Sequence, residues 1–137
     1  MNQTPNTKPY DLEERTFLFA KDVALFIKTL PNTISNIEYS RQVVRSSGSV
    51  GANYIEANEA LGKKDFAMRI RISRKEAKES AYWLRLIIST NDDGCAEEGK
   101  KLLVPARYCY EEFPKSSTPI CITTTNRVLG ISHERRG

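Results

Sequence analysis

The feature that most constrains this chain is a helical repeat of apolar and small side chains between residues 64 and 89. At 100° per residue, one face holds Phe66, Ile70, Ser73, Ala77, Ser80, Leu84 and Ile88, all within about 40° of Phe66. Such a face predicts a long amphipathic helix that buries one side against its neighbours. The fold must therefore provide partners along a rod of about 39 Å.

Residues 36–61 allow two interpretations. Propensity favours a loop at 45–51, because each glycine inside a helix costs about 1 kcal/mol against alanine. The helical repeat nevertheless continues through this segment. One face holds Ile37, Val44, Gly48, Gly51 and Ile55, and a second holds Val43, Ser47, Val50, Tyr54, Ala57 and Leu61. We predict one continuous helix whose small residues admit a close neighbour, with the loop as the alternative.

A shorter helix is predicted on each side of this pair. Asp11 and Glu14 have the spacing of a capping box, and Pro31 ends the first helix. The apolar residues of that helix form two rows, Phe17, Ala20, Ala24, Ile27 and Phe19, Val23, Phe26, Leu30. After a turn at 91–94, a fourth helix is expected from about Ala96, with an early interruption at Pro105.

Long helices joined by short turns pack as antiparallel neighbours. We therefore predict an all-α protein: an antiparallel up-and-down four-helix bundle with a shortened or broken fourth helix and an irregular C-terminal tail. The predicted boundaries are a disordered N-terminal segment at 1–10, the bundle at 11–113 and a poorly ordered tail at 114–137.

Residues suited to catalysis or metal binding are scarce. The three cysteines, Cys95, Cys109 and Cys121, form no Cys-x-x-Cys pair, and the one histidine is His133. A structural zinc site uses four closely spaced Cys or His ligands, and a nucleophilic triad needs a base. We expect no enzyme activity, metal or cofactor. The polar N-terminus and the absence of a run of ~18 apolar residues predict a cytoplasmic protein without a membrane span.

Two segments match a known family in order and spacing. They are RSSGSVGANYIEANEA at 45–60 and DFAMRIRISRKEAKESAYWLRLI at 65–87. From about Asp11 to Leu103 the chain resembles the bacterial four-helix bundle proteins, also called the 23S rRNA-intervening-sequence or S23 family. The resemblance implies a four-helix bundle without known enzymatic activity, assembled as a homo-oligomer in a ring of five. After Leu103 the sequence departs from the family pattern, since Pro105, Pro114 and Pro119 follow.

Positive charge is concentrated on the third helix. Residues 63–90 carry eight basic and three acidic side chains, against a net charge of +4 for the whole chain. Six of the basic residues, Lys64, Arg71, Arg74, Lys75, Lys78 and Arg85, lie between about 80° and 180° from Phe66. Such a face can bind RNA or DNA phosphates. The alternative is a solvated helix face paired with Glu76 and Glu79.

Further apolar side chains lie outside the core face of the third helix. These are Met68, Ile72, Trp83 and Leu86, and the second helix has a similar row in Val43, Val50, Tyr54 and Leu61. Either row can face a second helix of the same bundle or another subunit, where Trp, Tyr and Met are enriched. With the family resemblance, we predict that Met68, Ile72, Trp83, Leu86 and Tyr54 form an oligomer interface. A scaffold that binds protein, without nucleic acid, is the alternative function.

Overall fold

A computed structural model describes residues 12–112 as four helices. They are α1 (Leu12–Ile27), α2 (Ile34–Asn58), α3 (Lys63–Thr90) and α4 (Asp93–Glu111). Each helix packs on the next one in the chain, and α4 also packs on α1, so the core is enclosed by all four. The predicted all-α bundle is confirmed. The segments predicted at 1–10 and 114–137, and the capping residue Asp11, lie outside the described residues.

The Ser/Gly-rich segment of α2 is helical, and the loop interpretation is wrong. Thr33 caps the helix, since its side-chain oxygen accepts a hydrogen bond from the amide of Asn36 at 3.1 Å. Gly51 shows why a small residue is needed within the helix. A Cβ atom there would lie 2.9 Å from Oγ1 of Thr16, so α1 passes close to the backbone of α2.

The core is built from one face of each helix. The predicted face of α3 is buried at Phe66, Ile70, Ser73, Ala77, Ser80 and Leu84, whereas Ile88 is half-buried. On α2 the buried row is Val43, Ser47, Val50, Tyr54 and Ala57, and on α1 it is Phe19, Val23 and Phe26. Removing these side chains from water is the main stabilising term of the bundle.

Serine hydroxyls connect α2 to α3 inside this core. Ser46 and Ser80 share a hydrogen bond at 2.8 Å, and Ser73 donates to the carbonyl oxygen of Val50 at 2.7 Å. All three serines are at most 1% exposed. Because hydrogen bonds are directional and buried hydroxyls need partners, these contacts set the axial register of the two helices.

α4 has 19 residues, fewer than the 25 of α2 and the 28 of α3, so it is shortened as predicted. The expected interruption at Pro105 does not occur, because the helix continues for six residues beyond it, to Glu111. Proline removes the hydrogen bond to the carbonyl of Lys101. That side of α4 borders an open groove, whereas Ala106 and Cys109 on the next turn are fully packed in the core and hold the helix.

Two asparagines join the connections at one end of the bundle. Asn36, in the first turn of α2, donates to Oδ1 of Asn91 at 2.9 Å, and Asn91 donates back to Oδ1 of Asn36 at 2.8 Å. Asn91 follows the last residue of α3. The pair therefore ties the α1–α2 connection to the α3–α4 turn. Among residues 12–112, no helix combines the length and apolarity needed to span a membrane.

Candidate functional site

The six basic residues predicted to bind nucleic acid lie on one side of α3. We call them the basic face: Lys64, Arg71, Arg74, Lys75, Lys78 and Arg85. All six are exposed. Four of them repeat every seven residues, so the face extends along about 32 Å of helix. Their binding to nucleic acid stays a prediction, but the helix does bring them to a single surface.

Two of the three acidic residues of α3, Glu76 and Glu79, contact Arg45 of α2. An oxygen of Glu79 accepts hydrogen bonds from Arg45 at 2.6 Å and from the indole N–H of Trp83 at 3.1 Å. Glu76 is 8% exposed, and its nearest basic contacts are Lys75 at 3.7 Å and Arg45 at 3.9 Å. Arg45 of α2 therefore pairs with Glu79, whereas Glu76 lies between Arg45 and Lys75, and the other five members of the basic face have no acidic residue of α3 within 4.0 Å.

Two members of the basic face also contact α4. Arg74 donates from Nε to the carbonyl oxygen of Tyr110 at 3.3 Å, and Nζ of Lys78 lies 5.9 Å from the ring centroid of Tyr110. Both cations are close to the C-terminal end of α4, where the helix dipole is negative. These two residues therefore stabilise the bundle whether or not they bind a ligand.

The remaining basic positions are less engaged. Within residues 12–112, the side chains of Lys64, Arg71 and Arg85 make no hydrogen bond or ion pair, and that of Lys75 makes only the contact with Glu76. Long cationic side chains without protein partners are free to meet an anion without first breaking an internal contact. Lys64, Arg71 and Arg85 are therefore the part of the basic face best suited to binding an anion.

The predicted interface residues do not form one exposed surface. Met68 is 44% exposed, whereas Ile72, Trp83 and Leu86 are half-buried. The placement of Tyr54 at an oligomer interface is corrected, because this residue is 3% exposed and packs in the core of its own chain. The periodicity finds two apolar rows on α2, but it does not tell which row faces the bundle.

The apolar row of α2 that is exposed is the one that contains Val44, and not the one that contains Tyr54. Ile37, Val44 and Ile55 are 39%, 42% and 46% exposed, and Phe17 of α1 beside them is 60% exposed. We call this surface the α1–α2 apolar face. It includes two grooves, of about 650 Å³ around Val44 and about 410 Å³ around Gly48. The sequence shows these residues as helical rows, yet the interface prediction did not include them.

The α1–α2 apolar face has charges of opposite sign at its two ends. Lys28 and Arg41 border the groove near Val44, and Glu13 and Glu14 border the groove near Gly48. All four of these charged residues are exposed. A partner that covers this face must therefore be apolar at its centre and must present both signs of charge at its edges.

The described part of the chain offers few groups suited to metal binding or nucleophilic catalysis. Residues 12–112 contain no group of three or more His, Cys, Asp or Glu placed to hold a metal ion. Burial raises the pKa of the Cys109 thiol to about 12, and the nearby Arg15 lowers it only in part. A thiol with such a pKa is not a nucleophile at neutral pH. His133 lies outside the described residues.

Comparisons with known proteins agree with the fold. A solved structure from Bacteroides thetaiotaomicron, described as a protein with unknown function from the S23 ribosomal protein family, matches with a TM-score of 0.64. The match has 24% sequence identity and covers 88% of this chain and 99% of that one. At this identity the likeness establishes the fold alone. No curated protein matches the chain.

The sequence itself matches a family model. The model describes the 23S rRNA-intervening sequence protein and matches residues 9–92, from just before α1 to the turn after α3. This segment contains the helices that carry the basic face and the α1–α2 apolar face. Since it is more than half of the 137 residues, the chain belongs to the 23S rRNA-intervening sequence protein family.

Proposed function

We propose that the protein is a non-enzymatic, oligomeric helical bundle of the cytoplasm that binds RNA or DNA through the basic face of α3. One observation carries the proposal: Lys64, Arg71 and Arg85 are exposed on one side of a rigid helix without a partner in the described chain. Nucleic acids offer closely spaced phosphates, and cations that neutralise them release bound counterions. The partner is recognised here by its charge, because no base-reading motif is present.

The support comes from the way the acids of α3 are arranged. If the basic face were only a solvated surface, its natural partners would be Glu76 and Glu79 on the same helix. Glu79 instead accepts its hydrogen bonds from Arg45 and Trp83, and Lys75 is the one member of the basic face within 4.0 Å of Glu76. The positive face therefore persists in the folded protein, and binding of a polyanion supplies the missing counter-charges.

The test compares two variants that each lose three positive charges. The first carries Lys64→Gln, Arg71→Gln and Arg85→Gln on the basic face. The control carries Lys100→Gln, Lys101→Gln and Arg107→Gln on α4, where each cation has a glutamate within 4.0 Å. Affinity for single-stranded and duplex oligonucleotides of equal length is measured by fluorescence anisotropy between roughly 50 and 200 mM salt.

We expect the basic-face variant to bind more weakly and with a shallower salt dependence. Each lost phosphate contact lowers the log–log slope by roughly 1, so the slope should fall by roughly 3. The α4 control should change both quantities much less. If the two variants lose affinity equally, binding follows net charge alone and the assignment to α3 is wrong. If the unmodified protein binds neither oligonucleotide, the nucleic-acid function itself is wrong.

The α1–α2 apolar face favours a second candidate function. In this alternative the protein is a homo-oligomeric scaffold or protein-interaction module, and the charge of α3 has no nucleic-acid role. A second copy of the chain is the partner that we propose for the face, in a pentamer as the family resemblance implies. The acidic pair Glu13 and Glu14 and the basic pair Lys28 and Arg41 offer complementary charges to another copy.

A further inference from the structure

An aromatic side chain lies within the basic face. Tyr82 is 53% exposed on α3. Lys78 precedes it by four residues and Arg85 follows it by three, so both cations are its neighbours on the helix surface. Lys75 lies two turns before it on the same side. The aromatic ring thus has an exposed cation on each side along the helix, and a third, Lys75, farther along the same side.

The ring of Tyr82 has a fixed support on one side. Its centroid is 5.1 Å from that of Trp83, with an angle of 70° between the ring planes. Trp83 is in turn held by its hydrogen bond to Glu79 and by the ring of Tyr39, whose centroid is 6.0 Å away. An edge-to-face pair of this kind is a favourable aromatic contact. It limits the orientations of Tyr82 while leaving about half of the side chain open to a ligand.

We propose that the basic face binds an unpaired, single-stranded segment of RNA or DNA, with one base stacked on the ring of Tyr82. This inference rests on the proposed nucleic-acid function and specifies its ligand. Lys78 and Arg85 contact phosphates on the two sides of the stacked nucleotide. The neighbouring Glu79 does not oppose the strand, because its carboxylate is bound to Arg45 at 2.6 Å.

The reason for a single strand is the geometry of base stacking. In a duplex, each base has its faces covered by the bases above and below, and proteins reach only the edges. An exposed aromatic ring can stack only on a base that is out of the helix, as in loops, bulges and free strands. Stacking also tolerates any base, which suits a surface that has no base-reading motif.

The experiment uses the full chain and three variants. Tyr82→Ala removes the ring, Tyr82→Phe keeps the ring without its hydroxyl, and the basic-face glutamine variant removes three charges. Affinity is measured for a single-stranded oligonucleotide, for the same strand with abasic sites, and for its duplex. The fluorescence of Trp83, the one tryptophan of the chain, reports contact at the adjacent ring.

We expect Tyr82→Ala to weaken single-strand binding by roughly 5- to 150-fold, the range for loss of one base–aromatic contact. Duplex binding should change by less than about 2-fold, because phosphate contacts remain. Tyr82→Phe should retain single-strand affinity within about 2-fold, since the ring stacks without the hydroxyl. The abasic strand should bind the unmodified protein as weakly as the intact strand binds Tyr82→Ala.

Two outcomes overturn this inference while the proposed function stands. One is that Tyr82→Ala binds the single strand as well as the unmodified protein does, while the glutamine variant loses affinity. The other is that the unmodified protein prefers the duplex. Failure of the unmodified protein to bind any of the three ligands overturns the nucleic-acid function, and this inference with it.

Discussion

Cys109 illustrates how strongly the interior of this small bundle acts on one side chain. Its side chain is 2% exposed on α4, and burial raises the pKa of the thiol from 9.0 to about 12. Arg15 lies close enough to favour the thiolate and opposes this shift only partly. The neutral thiol therefore behaves as an apolar group of the same core cluster as Ala106.

This shift predicts a loss of stability in alkaline solution. Below pH 9 the thiol is protonated in both states, so its contribution is fully present. Between pH 9 and about 12 only the unfolded chain loses the proton, which lowers the free energy of unfolding as pH rises. At pH 10 the loss is about 1 kcal/mol. Urea unfolding at pH 7 and pH 10, with reductant present, measures it.

The control is Cys109→Ala, in which this component is absent. The variant starts from a lower stability because the core loses a sulfur atom, but its decline from pH 7 to pH 10 should be smaller by about 1 kcal/mol. Equal declines in the two proteins would mean that Cys109 ionises in the folded state as readily as in the unfolded chain.

At the level of helices, the glycines of α2 separate intrinsic propensity from packing. Gly51 faces α1, where a Cβ atom would lie 2.9 Å from Oγ1 of Thr16. Gly48 is three residues earlier in the same helix, and a Cβ atom there would meet nothing within 4 Å. The two positions therefore share helix geometry but differ in the space beside them.

Alanine at the two positions should have opposite effects. Gly48→Ala should stabilise the protein by about 0.5–1 kcal/mol, because alanine favours the helix and has room. Gly51→Ala gains the same propensity but must displace Thr16, and overpacking costs about 1–3 kcal/mol. We expect Gly51→Ala to be the less stable of the two by about 1–3 kcal/mol in urea unfolding. Equal stabilisation by both substitutions would show that α1 is not in close contact with α2.

The two long helices were predictable, because their repeats extend over many turns. The helical periodicity of α2 outweighed its glycines, since burial of Val43, Val50 and Tyr54 contributes more than glycine propensity costs. Continuation of α4 through Pro105 was not predictable, because it depends on core contacts that form only in the folded bundle. Local rules describe an isolated helix, whereas the bundle adds the packing energy of its neighbours.

For the candidate site, the position of the cations was predictable from the sequence, but their acidic surroundings were not. A seven-residue spacing of cations necessarily produces one charged side of a helix. The pairing of Glu79 with Arg45 joins residues 34 positions apart, so no local pattern indicates it. The burial of Tyr54 and the exposure of Val44 could not be predicted either, because sequence alone does not tell which of two apolar rows on α2 faces the core.

For the whole molecule, the question is what covers the α1–α2 apolar face. Phe17, Ile37, Val44 and Ile55 are each more than one-third exposed and lie on adjacent helices. A contiguous apolar surface of this kind, with charged residues at its ends, is typical of an association surface. The exposed side of α3, by contrast, carries mainly charge, with two large apolar or aromatic residues of similar exposure, Met68 and Tyr82.

Two substitutions of matched exposure distinguish these surfaces as oligomer interfaces. Val44 is 42% exposed and Met68 is 44% exposed. If copies associate through the α1–α2 apolar face, Val44→Glu should yield monomers, because burying an unpaired carboxylate costs several kcal/mol. Met68→Glu should leave the oligomer intact. Light scattering during size-exclusion chromatography measures the mass of each.

The opposite pattern would place the interface on α3, where the sequence predicted it. A monomeric unmodified protein at the concentrations tested would reject self-association through either surface. Circular dichroism of each variant serves as the folding control, since both positions are on the surface and neither substitution should reduce the helix content.

The serine hydrogen bonds between α2 and α3 have a mechanical consequence. Sliding one helix along the other by a single turn, about 5.4 Å, would break the Ser46–Ser80 bond and the bond from Ser73 to Val50 together. These bonds thus fix the position along the bundle axis of α2, which carries part of the α1–α2 apolar face, relative to α3, which carries the basic face. A ligand bound to the basic face is therefore held at a constant distance from a partner bound to the α1–α2 apolar face.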